Sequence, residues 1–118
     1  MSTSEDKSLL LDDNIRHWFT KYPKAMRDVY CCAYVPDGWI SLVEPLVAMC
    51  DAAGVEVHQL KSKFFGLRMY VGPSTVELNR AIRDAETNSF TICTVCGRTG
   101  VKTRRGVLCA EHKPGRFP

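Results

Sequence analysis

The sequence contains no apolar run approaching 18 residues, no internal repeat and no low-complexity tract. These absences exclude a membrane-spanning helix, a repeat solenoid and a polar linker-like chain. Histidine is scarce, with three in 118 residues. His112 belongs to the cysteine motif treated below, which leaves His17 and His58, and neither sits in a motif of the HNH-nuclease type. The carboxylates Asp37, Asp51, Asp84 and Glu86 are scattered, with no His-centred constellation. Cys50 and His58 are a conceivable nucleophile pair, but no orienting third group accompanies them. A binding module is therefore expected, and an enzyme is not. An export signal is also not expected, because "MSTSEDKSLLLDD" combines too short an apolar stretch with acidic flanks. The six cysteines are then expected as reduced thiols or metal ligands in a cytoplasmic chain, not as disulfides. Cys31, Cys32 and Cys50 read as buried free thiols, since adjacent cysteines chelate one tetrahedral ion poorly.

What is present is unevenly placed. Residues 1–92 hold ten Lys/Arg against twelve Asp/Glu, whereas residues 93–118 hold six against one. Three metal-bound thiolates and one Zn²⁺ would take the last segment from +5 to about +4. The positive character therefore lies in the last quarter of the chain.

The periodicities predict an α+β fold: helices packed on a small antiparallel β-sheet, followed by a C-terminal module of zinc-ribbon or treble-clef type. The expected organisation is a disordered N-terminus at 1–8, an α+β body at 9–91 and a zinc-binding module at 92–118. Leu11, Ile15, Trp18, Phe19 and Tyr22 form a helical stripe that Pro23 stops, and Trp18 and Trp39 read as core anchors. A second helix is expected from about Ser41 to Ala53, closed by Gly54. Ser41 and Glu44 suggest a capping box there, although Pro45 moves the expected start a few residues later. Its buried face would be Leu42, Leu46, Val47 and Cys50. "VEVHQLKSKFFGLRMYV" reads as a hairpin, with Leu67, Met69 and Val71 on its apolar face and Gly66 in or beside the turn. Ser74 and Glu77 would then cap a helix of about 15 residues with Val76, Ala81, Ile82 and Ala85 inward.

The sharpest motif is Cys93-x2-Cys96, twelve residues, then Cys109-x2-His112. Zinc takes four ligands in a tetrahedron, and two ligands three apart on a tight turn grip it from one side. Gly97 lets such a knuckle turn back on itself. One Zn²⁺ is expected, and it is structural, because a closed four-ligand site leaves no position for water or substrate. Between the ligand pairs, "KTRR" places Lys102, Arg104 and Arg105 within four residues. Each close pair of like charges costs a few tenths of a kcal/mol, at roughly the scale of exposed ion pairs. An anionic partner would turn that repulsion into attraction. Together with Arg98, and with Lys61, Lys63, Arg68 and Tyr70 on the hairpin, these are the candidate partner-binding residues.

"KSKFFGLRMYV", "AIRDAETNSFTICTVCG", the later "LCAEH" and the upstream "DGW" resemble a group of small, mostly uncharacterised phage, prophage and bacterial proteins. Their pattern joins a K-x-K-F-G-L-R-x-Y-type hairpin to a C-x2-C…C-x2-H module. The likeness covers roughly residues 36 to 112, and its zinc part is the most specific. It departs at Phe65-Gly66-Leu67, where the group's paired glycines are reduced to one. The resemblance implies a phage or mobile-element setting and a host-cytoplasmic location. In that setting the basic hairpin fits a host protein or protein complex, such as a defence system, with an acidic or nucleic-acid-like surface. It equally fits nucleic acid directly, as in a nucleic-acid-binding zinc-ribbon regulator.

Overall fold

A computed structural model describes residues 11–29 and 33–112 of the chain. The expected disorder at 1–8 and the thiols of Cys31 and Cys32 lie outside the described residues. Among the described residues the fold is α+β. Helices α1 (Trp18–Lys21), α2 (Pro23–Met26), α3 (Ile40–Ala53) and α4 (Val76–Asn88) accompany two antiparallel hairpins. The first pairs β1 (Val57–Lys63) with β2 (Gly66–Val71), and the second pairs β3 (Val101–Thr103) with β4 (Gly106–Leu108). Helix α4 packs along β2 and against α3, which also packs on α2.

The stripe from Leu11 to Tyr22 does not form one helix. Leu11 pairs with Ala33, Asp13–Ile15 is a single 3-10 turn, and Pro23 opens α2 instead of ending a helix. Proline suits a first helical position because its missing N–H has no helical partner there. The Asp51 carboxylate in α3 accepts from the amides of Lys24 and Ala25, at 2.7 and 3.0 Å, and so caps α2. Leu11, Ile15, Trp18 and Trp39 are nevertheless all buried in the main core.

Helix α3 carries no capping box at Ser41. It grows directly out of the 3-10 turn Asp37–Trp39, and Trp39 is its N-cap without a side-chain bond. Pro45 lies inside it on the exposed face, where the carbonyl left without a donor, that of Ser41, is at the solvent side. Val43, Leu46, Val47 and Cys50 are buried at helical spacing, with Leu42 only half-buried at the margin. Gly54 closes the helix in the left-handed region at φ 72°.

Helix α4 is capped one residue later than the sequence suggests. Thr75 Oγ1 accepts from the Leu78 amide at 3.0 Å, an interaction that stabilises by about 1 kcal/mol. Leu78, Ile82 and Ala85 face inward, whereas Val76 is exposed. Val76 precedes Ile82 by six residues, about 240° away around the helix, so it cannot share that face. The outer edge of β2 is sealed by this helix. Glu86 Oε2 accepts from the Met69 amide at 3.0 Å, and Ser89 Oγ accepts from the Leu67 amide at 2.8 Å.

Candidate metal centre

The second hairpin and its flanks are too small to bury much. Their own core is Cys93, Leu108 and Cys109. The ligand residues sit on two turns. Cys93 donates its amide to the Arg98 carbonyl at 2.7 Å, and Gly97 donates to the Cys93 carbonyl at 3.0 Å. Gly97 adopts φ 85°, which lets the chain turn back after Cys96 so that Arg98 meets the Cys93 amide. On the other side the His112 amide donates to the Cys109 carbonyl at 3.1 Å.

These turns gather Cys93, Cys96, Cys109 and His112 so that their ligand atoms all lie within 4.8 Å of one another. Cys96 Sγ is 3.6 Å from Cys109 Sγ, and His112 Nδ1 is 3.2 Å from Cys109 Sγ and 3.7 Å from Cys93 Sγ. A tetrahedral ion with metal–sulfur bonds of about 2.3 Å requires ligand edges of about 3.8 Å. The cluster fits one metal ion with four protein ligands.

The electrostatics favour the thiolate at two of the three cysteines, whereas at Cys96 the Arg98 amide is outweighed by burial and the neighbouring Cys109 and Cys93, which raise that thiol. Burial pushes the Cys93 thiol up, but the amides of Cys96, Val95 and Cys109 and the His112 ring outweigh it, leaving Cys93 at about 6. Burial likewise opposes ionisation of Cys109, yet the amide of Glu111 and its neighbours hold it below the ordinary thiol value. His112 is raised by the adjoining Cys109 and Cys93. Thiolates are the ligand form, so amides aimed at sulfur favour metal binding. Cys50 is the opposite case: burial pushes its thiol up to about 11, and it packs as an apolar group. Asp28, Glu56 and His58 also gather ligand atoms, but they are half-buried or exposed and Glu56 is ion-paired with Arg27 at 2.6 Å.

The metal module is tied to the body by "DGW". The Gly38 amide donates to the Thr94 carbonyl at 2.8 Å, and Trp39 Nε1 donates to the Ile92 carbonyl at 2.9 Å. Gly38 lies so close to the knuckle that a Cβ there would meet the Cys93 carbonyl oxygen at 1.9 Å. The sequence marked Trp39 as a core anchor, and marked "DGW" as a unit only through the resemblance.

The partner-binding candidates fall into two sets. Lys102 lies on β3, and Arg104 and Arg105 form the exposed turn after it. Thr103 Oγ1 stiffens this turn, donating to the Gly106 carbonyl at 2.8 Å and accepting from the Arg105 amide at 3.1 Å. Lys61, Lys63, Arg68 and Tyr70 share the solvent face of the first hairpin, as Lys61↔Arg68, Gln59↔Tyr70 and Lys63↔Gly66 pair in register. Arg98 stands apart, ion-paired with Glu111 at 3.4 Å.

Comparison with known proteins adds no relative. Family models, curated proteins and solved structures each give no match to this chain. Sequence reasoning missed Phe64, Phe65 and Phe90, the rings that stand among these cations. The adjacent "FF" before Gly66 was the available signal.

Proposed function

We propose that this chain is a non-enzymatic, zinc-containing binding protein. It serves a phage or other mobile element by engaging an anionic surface of a host complex and modulating it. One Zn²⁺ bound by Cys93, Cys96, Cys109 and His112 supplies the folding energy that a core of three buried residues lacks. Three thiolates and an imidazole select zinc over the harder cations, and four protein ligands leave no open position for catalysis. The observation that carries the binding role is the β3–β4 turn. Lys102, Arg104 and Arg105 are exposed on a stiffened hairpin, and none has an ion-pair partner among the described residues. The mobile-element setting rests on the resemblance of the hairpin and cysteine motifs.

The metal assignment is checked by elemental analysis of protein purified without chelator, with one equivalent of zinc expected. Less than half an equivalent, or full content in Cys93→Ser, overturns it. The binding role is checked with the triple change Lys102→Ala, Arg104→Ala, Arg105→Ala, once zinc content and melting temperature match the parent. Capture of the host complex should weaken and lose its salt dependence. Affinity staying within about twofold, or about 0.4 kcal/mol, overturns the role.

A further inference from the structure

We propose that the two hairpins form one continuous face that binds single-stranded nucleic acid, stacking bases on Phe64 and Tyr70 while Lys61, Lys63 and Lys102 hold phosphates. This rests on the binding function above and takes the anionic surface of the host complex to be its single-stranded nucleic acid. The face begins at Tyr70, runs past the Lys61–Arg68 pair and reaches Lys63 opposite Gly66. Tyr70 and Gly66 are four residues apart on one strand, a span of about 13 Å. At Gly66 the missing side chain is replaced by a ring from elsewhere. A Cβ there would lie 2.5 Å from the Phe90 ring, which the turn Ser89–Thr91 brings off the end of α4. Lys102 then crosses from the second hairpin, with Nζ 5.6 Å from the Phe65 ring centre and 5.8 Å from that of Phe90. Two hairpins separate in sequence thereby become a single surface.

Its charge and its rings both suit a single strand. Residues 57–71 and 101–108 contain no carboxylate. Among the described residues Lys61, Lys63, Arg68, Lys102, Arg104 and Arg105 form no ion pair. Cations and rings alternate: Lys61 lies 5.5 Å from the Tyr70 ring centre, and Lys63 lies 5.5 Å from that of Phe64. A phosphate held by either lysine would therefore sit beside a ring able to take its base. A duplex hides its base faces, so rings contribute there far less than charges do.

The turn gives an independent reason. Phe64 and Phe65 both have left-handed backbone, at φ 53° and 73°, where Asn-Gly is the favoured pair. Core packing does not explain this strain for Phe64, which is 73% exposed. Strained, exposed aromatic residues at a turn tip point to contact with a partner.

The test uses the full zinc-loaded chain and anisotropy with three labelled probes: oligothymidylate, a duplex of the same length, and polyglutamate. Oligothymidylate should bind at least about tenfold tighter than duplex. Phe64→Ala with Tyr70→Ala, which keeps every charge, should weaken oligothymidylate by about tenfold or more and leave the salt slope unchanged. Phe64→Trp with Tyr70→Trp should restore or exceed parental affinity, which separates stacking from altered folding. Equal binding of duplex, or no effect of the alanine pair, overturns the inference. In that case the basic-hairpin function survives if the triple Lys102, Arg104 and Arg105 variant still weakens capture. Binding of polyglutamate alone also overturns it and makes the partner an acidic protein. Binding of no probe overturns it as well, and the capture experiment then decides the broader function separately.

Discussion

A Cβ placed on Gly38 falls 1.9 Å from the Cys93 carbonyl oxygen and 2.7 Å from the Gly97 nitrogen. Both are backbone atoms of the knuckle that presents two metal ligands, so neither side can yield by rotating a side chain. Gly38→Ala should therefore lower stability by at least about 2 kcal/mol and also weaken metal binding. Thermal unfolding and competition with a chromogenic chelator would show both. Gly54→Ala is the control: nothing lies within 4 Å of its Cβ, and only the φ of 72° opposes it, at about 1 kcal/mol. The ligands themselves set a pH limit. Cys93 is depressed from the ordinary thiol value of 9.0 to about 6, so its thiolate is maintained above that range. The stability it contributes is full above about 9, declines as pH falls from 9 toward 6, and is gone below about 6. Protons also compete for His112, whose affinity for them is raised by the same thiolates. Zinc affinity should thus fall as pH drops from 9 toward 6, as followed by competition with a chromogenic chelator at each pH. An affinity that stays the same between pH 9 and pH 6 would contradict this account.

At the scale of elements, period-two and helical patterns located both long helices and the first hairpin, because those signals are local. Their boundaries were less legible. Ser74 and Thr75 are both capable caps, and only the extended path after Gly72-Pro73 decides for Thr75, leaving Ser74 Oγ buried without a partner. The Leu11–Tyr22 stripe has helical spacing, yet its residues reach the same core from a bridge, a 3-10 turn, one short helix and the residue that follows it. Burial was legible there and backbone shape was not. The hairpin turn carries the clearest prediction at this scale. Phe64→Asn with Phe65→Gly puts favoured residues at the two left-handed positions. Relief of strain, offset by lost contact of Phe65 with Lys102, should raise stability by about 1 kcal/mol in urea unfolding. If Phe64 is kept for its partner, the same change should reduce single-strand affinity. A variant less stable than the parent would show that the aromatic pair, not the backbone, governs the turn.

At the scale of the whole molecule, the metal ligands were legible because their spacing is itself the geometry of two turns. The composite face was not, since Phe90 and Lys102 reach the first hairpin only through tertiary packing. The tie between body and metal module was equally hidden, and it predicts how the molecule unfolds. Trp39 is fully buried in the main core, and its indole N–H is bonded to Ile92 at the entrance of the module. Gly38 donates to Thr94 inside the knuckle, so loss of the metal removes partners from both residues. The module's own core is only Cys93, Leu108 and Cys109, so on the proposed metal assignment the ion is what holds the knuckle in place. A buried indole N–H left without its acceptor costs about 1–3 kcal/mol, and that cost falls on the body. Zinc removal should therefore lower the melting temperature of the body itself and redden the tryptophan emission. Trp18→Phe assigns that change to Trp39. Calorimetry should show one endotherm with metal and one at lower temperature without it, while readdition of zinc restores the first. A body transition unmoved by chelation would mean that the "DGW" contacts only rest on the module and do not couple to it.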